Sequence, residues 1–340
     1  MSIVDLRSDT LTRPTPQMRR VMADAEVGDD VWRDDPSAAR LEAKAAEVLG
    51  KEASLFVPSG TMANQIALLL HCRPGDEVIV GRGSHLRLYE SGAGAAWAGV
   101  QFAEVGQGGL FDPEELVGAI QSSDYHAPRT RLVSLENTHN RGGGRVWPLH
   151  ALRAVTDAAR ERGLALHLDG ARLWNASVAL GAPERELAAP FETVSVCFSK
   201  GLGAPVGSVI AGSSEAIGRA LRLRKMLGGG MRQVGILCAA AQHALEEHRG
   251  LLAEDHRRAR TLALGIAEMK RARISVDDVE TNIVIFESTL LPAAALCARL
   301  EESGVRMAPV GPNHVRLVTH LDVDDVGVER ALQSLRALLD

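Results

Sequence analysis

Short apolar runs of strand length alternate with helix-length amphipathic segments through the first two thirds of the chain, and that alternation restricts the possible folds most strongly. Residues 53–57, 77–80, 100–105, 131–135, 164–168, 193–198 and 208–211 read as strands. Residues 62–70, 113–120, 149–162 and 214–226 carry helical periodicity between them. Parallel neighbours need crossover connections, so the expected architecture is α/β, a mostly parallel sheet flanked by helices on both faces. From about Ala239 the character changes. A long charged amphipathic helix over 242–271 precedes strands at 283–286 and 315–318, with a helix at 296–303 between them. With 340 residues the chain exceeds one comfortable hydrophobic core. The expectation is a large domain over residues 1–241 and a smaller C-terminal α+β domain over 242–340.

Composition removes several classes of function. A net charge of −5 leaves no extended basic face for nucleic acid. No apolar run approaches the roughly 20 residues of a membrane helix, and the first residues lack a signal-peptide pattern. Cys72, Cys197, Cys238 and Cys297 form no C-x-x-C pair and read as reduced thiols of a cytoplasmic protein. No histidine pair has the spacing of H-E-x-x-H, so no metal site is expected.

Two residues stand where strands end. Asp169 closes the run at 164–168, and Lys200 follows the run at 193–198, 31 positions later. Open α/β sheets bind ligands at the carboxyl ends of their strands. A lysine able to form a Schiff base, with an acid to pair with a pyridinium nitrogen, is the protein half of pyridoxal 5'-phosphate chemistry. Ser59, Gly60 and Thr61 lie between a strand and a helix, where free amides and a helix dipole suit a phosphate; an ordinary N-cap is the alternative. His85 follows the strand at 77–80 and is flat enough to stack on a pyridine ring, or simply caps a loop. His126 and His139 stand in loops beside a strand. Arg172 and Arg316 are candidates for a carboxylate, or for structural ion pairs. The basic residues around Gly228–Gly230, Lys225 and Arg232 among them, form a solvated face or reach a phosphate in a neighbouring subunit. The segment Gly92-Ala93-Gly94-Ala95-Ala96-Trp97 misses the last position of the dinucleotide fingerprint.

In order along the chain come Asp5-Leu6-Arg7-Ser8-Asp9-Thr10, Ala25-Glu26-Val27-Gly28-Asp29-Asp30-Val31 and Leu55-Phe56-Val57-Pro58-Ser59-Gly60-Thr61-Met62. Glu136-Asn137-Thr138-His139-Asn140, His167-Leu168-Asp169-Gly170-Ala171-Arg172 and Ser199-Lys200-Gly201-Leu202-Gly203-Ala204-Pro205 follow. Arg224-Lys225-Met226-Leu227-Gly228-Gly229-Gly230-Met231-Arg232-Gln233 and Arg316-Leu317-Val318-Thr319-His320 complete the set. Together they resemble the bacterial threonine aldolases, of the low-specificity or L-allo type, in the aspartate-aminotransferase-like (fold type I) superfamily. The resemblance implies a large domain that binds pyridoxal 5'-phosphate and retro-aldol cleavage of L-threonine or L-allo-threonine to glycine and an aldehyde. It casts Lys200 as the Schiff-base lysine, Asp169 as the pyridinium partner, His85 as the ring-stacking residue, and Gly60 with Thr61 as phosphate ligands. Ser8, Arg172 and Arg316 would take the substrate carboxylate, and His126 would face its hydroxyl-bearing side. Lys225 and Arg232 would act across a subunit interface, which implies a homo-oligomer, usually a tetramer, with sites at the dimer interface. The base that takes the hydroxyl proton stays open between His85, His126 and a water they hold. Two segments depart from the family pattern. Trp32-Arg33 replaces Tyr-Gly, and Arg87-Leu88-Tyr89 keeps one aromatic residue after His85; both are expected at the substrate entrance. Transamination or β-elimination on the same scaffold, a nicotinamide oxidoreductase, and a regulatory protein that holds the cofactor without turnover are the competing readings.

Overall fold

A computed structural model describes residues 3–340. The chain opens with β1 (Val4–Asp5), α1 (Pro16–Ala23) and α2 (Pro36–Leu49), the two helices each started by a side-chain cap and a proline in the first turn. The large sheet is made of β2 (Ala53–Val57), β3 (Glu77–Gly81), β4 (Gln101–Val105), β5 (Thr130–Glu136), β6 (Ala165–Gly170), β7 (Thr193–Cys197) and β8 (Ser208–Gly212). Their spatial order is β2-β8-β7-β6-β5-β3-β4. Neighbours from β7 through β4 are parallel, and β8 alone runs against both of its partners. Residues of β3, β7 and β8 are buried throughout, as expected of strands covered on both faces. The α/β class expected from the alternation is therefore the observed one.

Helix α3 (Gly60–His71) returns from the carboxyl edge of the sheet to its amino edge. On the face it covers, His167 pairs in register with Thr193, and Asp169 with Ser195. Because side chains alternate along a strand, these four project from one face. The polar centre of the molecule forms there.

The C-terminal part is richer than its sequence suggested. In place of one helix over 242–271 there is a helix Gly235–His243, a π turn and a 3-10 turn, then a helix Leu252–Ala267. Beyond it lie β9 (Ala272–Arg273), β10 (Ile283–Ser288), β11 (Val305–Arg306), β12 (Ala308–Pro309) and β13 (His314–Val318). Four of these form a sheet ordered β12-β13-β10-β9, where two strands were expected. A final helix, Asp325–Leu339, packs Val328, Leu332, Leu335 and Leu339 into a second core. Val4 and Leu6 belong to that core, and β1 pairs with β11. The N-terminal segment thus crosses from one core to the other, and this brings Ser8 and Asp9 between them.

Candidate active site

At the carboxyl edge, α3 begins at Gly60 after Ser59, whose hydroxyl accepts the Met62 amide. The first-turn amides of a helix have no intrahelical acceptor, so those of Gly60 and Thr61 remain available. Residue 60 must be small, because a Cβ there would meet the Cys197 sulfur at 2.8 Å.

Asp169 is buried. Its Oδ2 accepts from Asn64 Nδ2 at 2.8 Å, and its Oδ1 accepts from the Ala171 amide at 3.1 Å. Burial alone would raise its pKa; the charges of His85 and Lys200 and the Asn64 bond overcome that and hold the carboxyl below its usual range. An ionised, buried carboxylate is what a protonated ring nitrogen requires. Lys200, half-buried just beyond β7, is near enough for its charge to act on both Asp169 and Asp9.

His85 Nδ1 lies 3.0 Å from Glu90, and the polar atoms of His85, Glu90 and Asp169 fall within 4.8 Å of one another. Asn64 and Gln65 both donate to the Glu90 carboxylate, at 2.7 and 2.6 Å. With its oxygens facing three donors, Glu90 is a hydrogen-bond hub that fixes the imidazole's orientation. Burial lowers the His85 pKa, but the Glu90 bond and the Asp169 charge more than restore it, so its balance is upward.

The two arginines differ in their partners. Arg172 gives Nε and Nη2 to the fully buried Asp9, at 2.8 and 2.7 Å. Arg316 donates to the Asn140 side chain at 3.0 Å and to the Arg7 carbonyl at 3.1 Å, while its buried Nε has no partner among the described residues. Burial, then the charge of Arg172, pushes the Arg316 pKa down, the sign of a cation short of an anion. Ser8 caps the short turn Asp9–Leu11 beside them, its oxygen accepting from the Thr10 amide. Glu136 ties the halves of the site together, accepting the His85 amide at 2.7 Å and the Asn140 amide at 2.9 Å.

Of the residues expected from sequence, the fold gathers Ser59, Gly60, Thr61, His85, Asp169, Arg172, Lys200, Arg316 and Ser8 along this edge. His126 is exposed on a separate loop, bonded to Asp124 and with its ring tilted 38° against that of Tyr125. Lys225 is exposed, and Arg232 pairs with Asp29 on the surface. Trp32 is exposed, but the Arg33 guanidinium turns back onto Asp30 and Glu42. Arg33 also holds a φ of 62°, the left-handed conformation for which glycine is the ordinary choice. Asp9, Asn64, Glu90, Glu136 and Asn140 received no role from the sequence. The one hint for Asn64 is a pair of amides, Asn64-Gln65, inside an otherwise apolar helix.

The site fits pyridoxal 5'-phosphate on its own geometry: an ionised buried carboxylate for the ring nitrogen, free helix amides for the phosphate, a flat imidazole and a nearby lysine. Asp9 also provides a stability test. Burial would raise its pKa, yet Arg172 and Lys200 bring it from 3.8 to about 2. A depressed pKa stabilises the fold above the unfolded value and loses that stabilisation as pH falls through the folded one, about 2 kcal/mol here. Asp9→Asn should cost about 3–5 kcal/mol at pH 7 by stranding Arg172. The urea-measured gap to the wild type should narrow below pH 4; a constant gap down to pH 2.5 contradicts the assignment.

The beta-eliminating lyase family matches residues 5–289 of the chain. A probable low-specificity L-threonine aldolase 2 of Arabidopsis thaliana is 48% identical over 337 residues, 97% of this chain and 95% of its own length. The low specificity L-threonine aldolase of Escherichia coli K12 is 42% identical over 341 residues, covering 99% of each. Among solved structures, the threonine aldolase of Leishmania major superposes with a TM-score of 0.84 at 21% identity, over 98% of this chain and 99% of that one.

Proposed function

The chain belongs to the beta-eliminating lyases and, within them, to the threonine aldolases, and from that premise we propose how its residues carry the reaction. The enzyme is a lyase that uses pyridoxal 5'-phosphate to cleave β-hydroxy-α-amino acids, L-threonine or L-allo-threonine, to glycine and an aldehyde. When bound, the cofactor supplies an electron sink for the pair left on Cα. Lys200 would hold it through its side-chain amine. Gly60 and Thr61 hold its phosphate through backbone amides, with Ser59 beside them. Asp169, ionised and buried, would keep a proton on the ring nitrogen.

The observation that carries the carboxylate assignment is charge imbalance: of two neighbouring guanidiniums only Arg172 is bonded to a carboxylate, Asp9, while Arg316 meets only neutral acceptors and its buried Nε has no partner among the described residues. A substrate carboxylate fills that deficit, with Ser8 as a further donor. Holding it selects which bond at Cα stands perpendicular to the ring. His85 presents Nε2 to the substrate, since Nδ1 is engaged by Glu90. That leaves it placed to receive the β-hydroxyl proton, directly or through a water. His126 is assigned to the hydroxyl-bearing side from its exposed loop. Lys225 and Arg232 are assigned to a partner subunit's site in a homodimer or tetramer, and the division between domains to the neighbourhood of residue 242. Among the described residues no helix is long and apolar enough to cross a membrane; the proposed compartment is the cytoplasm.

Purified enzyme given L-threonine or L-allo-threonine should form equimolar glycine and acetaldehyde. Ammonia and a keto acid in their place would mean elimination instead. Arg316→Gln removes a charge-assisted contact of about 2–3 kcal/mol, so kcat/KM should drop roughly 30- to 150-fold. Unchanged kcat/KM would move the carboxylate elsewhere.

A further inference from the structure

A second polar centre lies at the opposite edge of the sheet. A cleft of about 510 Å³ is lined by His71, Cys72, Arg73, Arg129, Arg131 and Arg219, with Leu69 and Leu70. Its volume is within the range of small-molecule sites, roughly 300–1,000 Å³. Four guanidiniums converge there, and the only carboxylate bonded to any of them among the described residues is Asp76, held by Arg129 at 2.9 Å. Arg219 donates only to the Leu70 carbonyl, at 3.1 Å. The side chains of Arg73 and Arg131 form no hydrogen bond or ion pair among the described residues. Three guanidiniums thus lack an anion in one concave surface, a donor set suited to phosphate oxygens.

His71 connects this cleft to the interior. Its Nε2 lies 2.9 Å from Thr193 Oγ1, which lies 2.9 Å from His167 Nδ1. His167 Nε2 is 3.2 Å from Asn64 Oδ1, and Asn64 Nδ2 donates to Asp169 at 2.8 Å. His167 Nδ1 also lies 3.2 Å from the Thr193 carbonyl, and one tautomer assignment carries donation along the whole chain. Asn64 gives its N–H groups to Glu90 and Asp169, so its oxygen is an acceptor, taking the Ser195 hydroxyl at 2.8 Å and, in this assignment, His167 Nε2–H. His167 Nδ1 then accepts from the Thr193 hydroxyl, and Thr193 accepts from His71 Nε2–H. Every link points the same way, from the cleft to the carboxylate of the active site. His71 Nδ1 is left as an acceptor with no protein donor among the described residues, beside the cleft. Burial, with the charges of His167, Arg131 and Arg219, pushes the His71 pKa down to about 3, so it is neutral while the cleft holds only arginines.

We propose that this cleft binds a phosphate dianion, free or as a monoester, and that the His71–Thr193–His167–Asn64 chain transmits its occupancy to Asp169. Burial is the main reason His71 is neutral, with the charges of His167, Arg131 and Arg219 adding to it; an anion among the guanidiniums offsets the arginine part, and a hydrogen phosphate can donate directly to Nδ1. Either change strengthens donation from His71, and hydrogen bonds in a chain polarise one another in low dielectric. Asn64 then binds Asp169 more tightly, the carboxylate becomes less basic, and the ring nitrogen is held less firmly protonated. This last link rests on the assignment of Asp169 above; the binding itself does not.

Calorimetric titration of the holoenzyme with inorganic phosphate and with AMP, at fixed ionic strength, tests the site. Binding of phosphate supports a free-anion site, and binding of AMP alone supports a monoester site. Arg131→Ala with Arg219→Ala should weaken binding at least roughly tenfold. In the wild type, the bound anion should move the pH midpoint of the cofactor's visible band upward, because a less protonated ring draws fewer electrons from the Lys200 nitrogen. Thr193→Val should bind the anion as the wild type does but show no such movement, and Thr193→Ser should restore it. No heat with either probe, or equal heat in the double arginine variant, overturns the site. A Thr193→Val band that still responds overturns the relay. Failure of borohydride to fix the cofactor on Lys200 would remove the aldolase assignments while leaving the calorimetric result intact.

Discussion

Lys200→Ala should fold, assemble as the wild type does, and lose aldolase activity by at least about 10⁴-fold, the scale of deleting a covalent catalytic group. The structural cost is small because the side chain makes no hydrogen bond or ion pair among the described residues; the hydrogen bonds of residue 200 run through its backbone carbonyl, which accepts from Thr12 Oγ1 at 2.9 Å and from the Gly203 amide at 2.8 Å. Neither is touched by truncation to alanine. The electrostatic cost is also predictable in sign. Lys200 is one of the charges holding down the pKa values of Asp9 and Asp169, so both carboxyls should shift upward in the variant. Borohydride should no longer fix the cofactor to the chain. A peptide map that still carries reduced cofactor, or activity within 100-fold of the wild type, would show that another amine does this work.

Lys200 and Asp169 could be read from sequence because each sits at the end of a buried strand, and a strand's end fixes where a side chain emerges. The large sheet was legible for the same reason: seven runs of apolar residues each mark a strand, and their bounds shift by at most two residues in the structure. What sequence could not supply are partners assembled from distant parts of the chain. Asn64 meets Glu90 across 26 positions and Asp169 across 105, and Asp9 meets Arg172 across 163. No local period encodes such pairs. Glu136 and Asn140 lay inside a recognised segment, but their work is to hold His85 and Arg316, which is visible only once the elements are packed. In the C-terminal part, β9 and β12 are two residues long, below any periodic signal. The helix Asp325–Leu339 is a different case. Val328, Leu332, Leu335 and Leu339 do follow helical spacing, so its signal was present in the sequence.

Asp169→Asn keeps the size of the side chain and removes its charge, and kcat/KM should fall about 10³-fold. The magnitude follows from one ion pair: two unit charges about 4 Å apart at an effective dielectric near 20 interact by about 4 kcal/mol, and each 1.4 kcal/mol is a factor of ten. That energy is available only while the ring nitrogen carries its proton, so the loss should appear in kcat more than in KM. The fold explains why no neighbour substitutes. Glu90, the other carboxylate within 4.8 Å, is already committed to Asn64, Gln65 and His85. The substitution should also act on His85. Burial lowers the pKa of that imidazole, and the Glu90 bond and the Asp169 charge raise it. Removing the Asp169 charge therefore moves the His85 titration to lower pH, which histidine NMR on wild type and variant would detect. A fall in kcat accompanied by an unmoved His85 titration would separate Asp169 from the imidazole and place its charge elsewhere in the site.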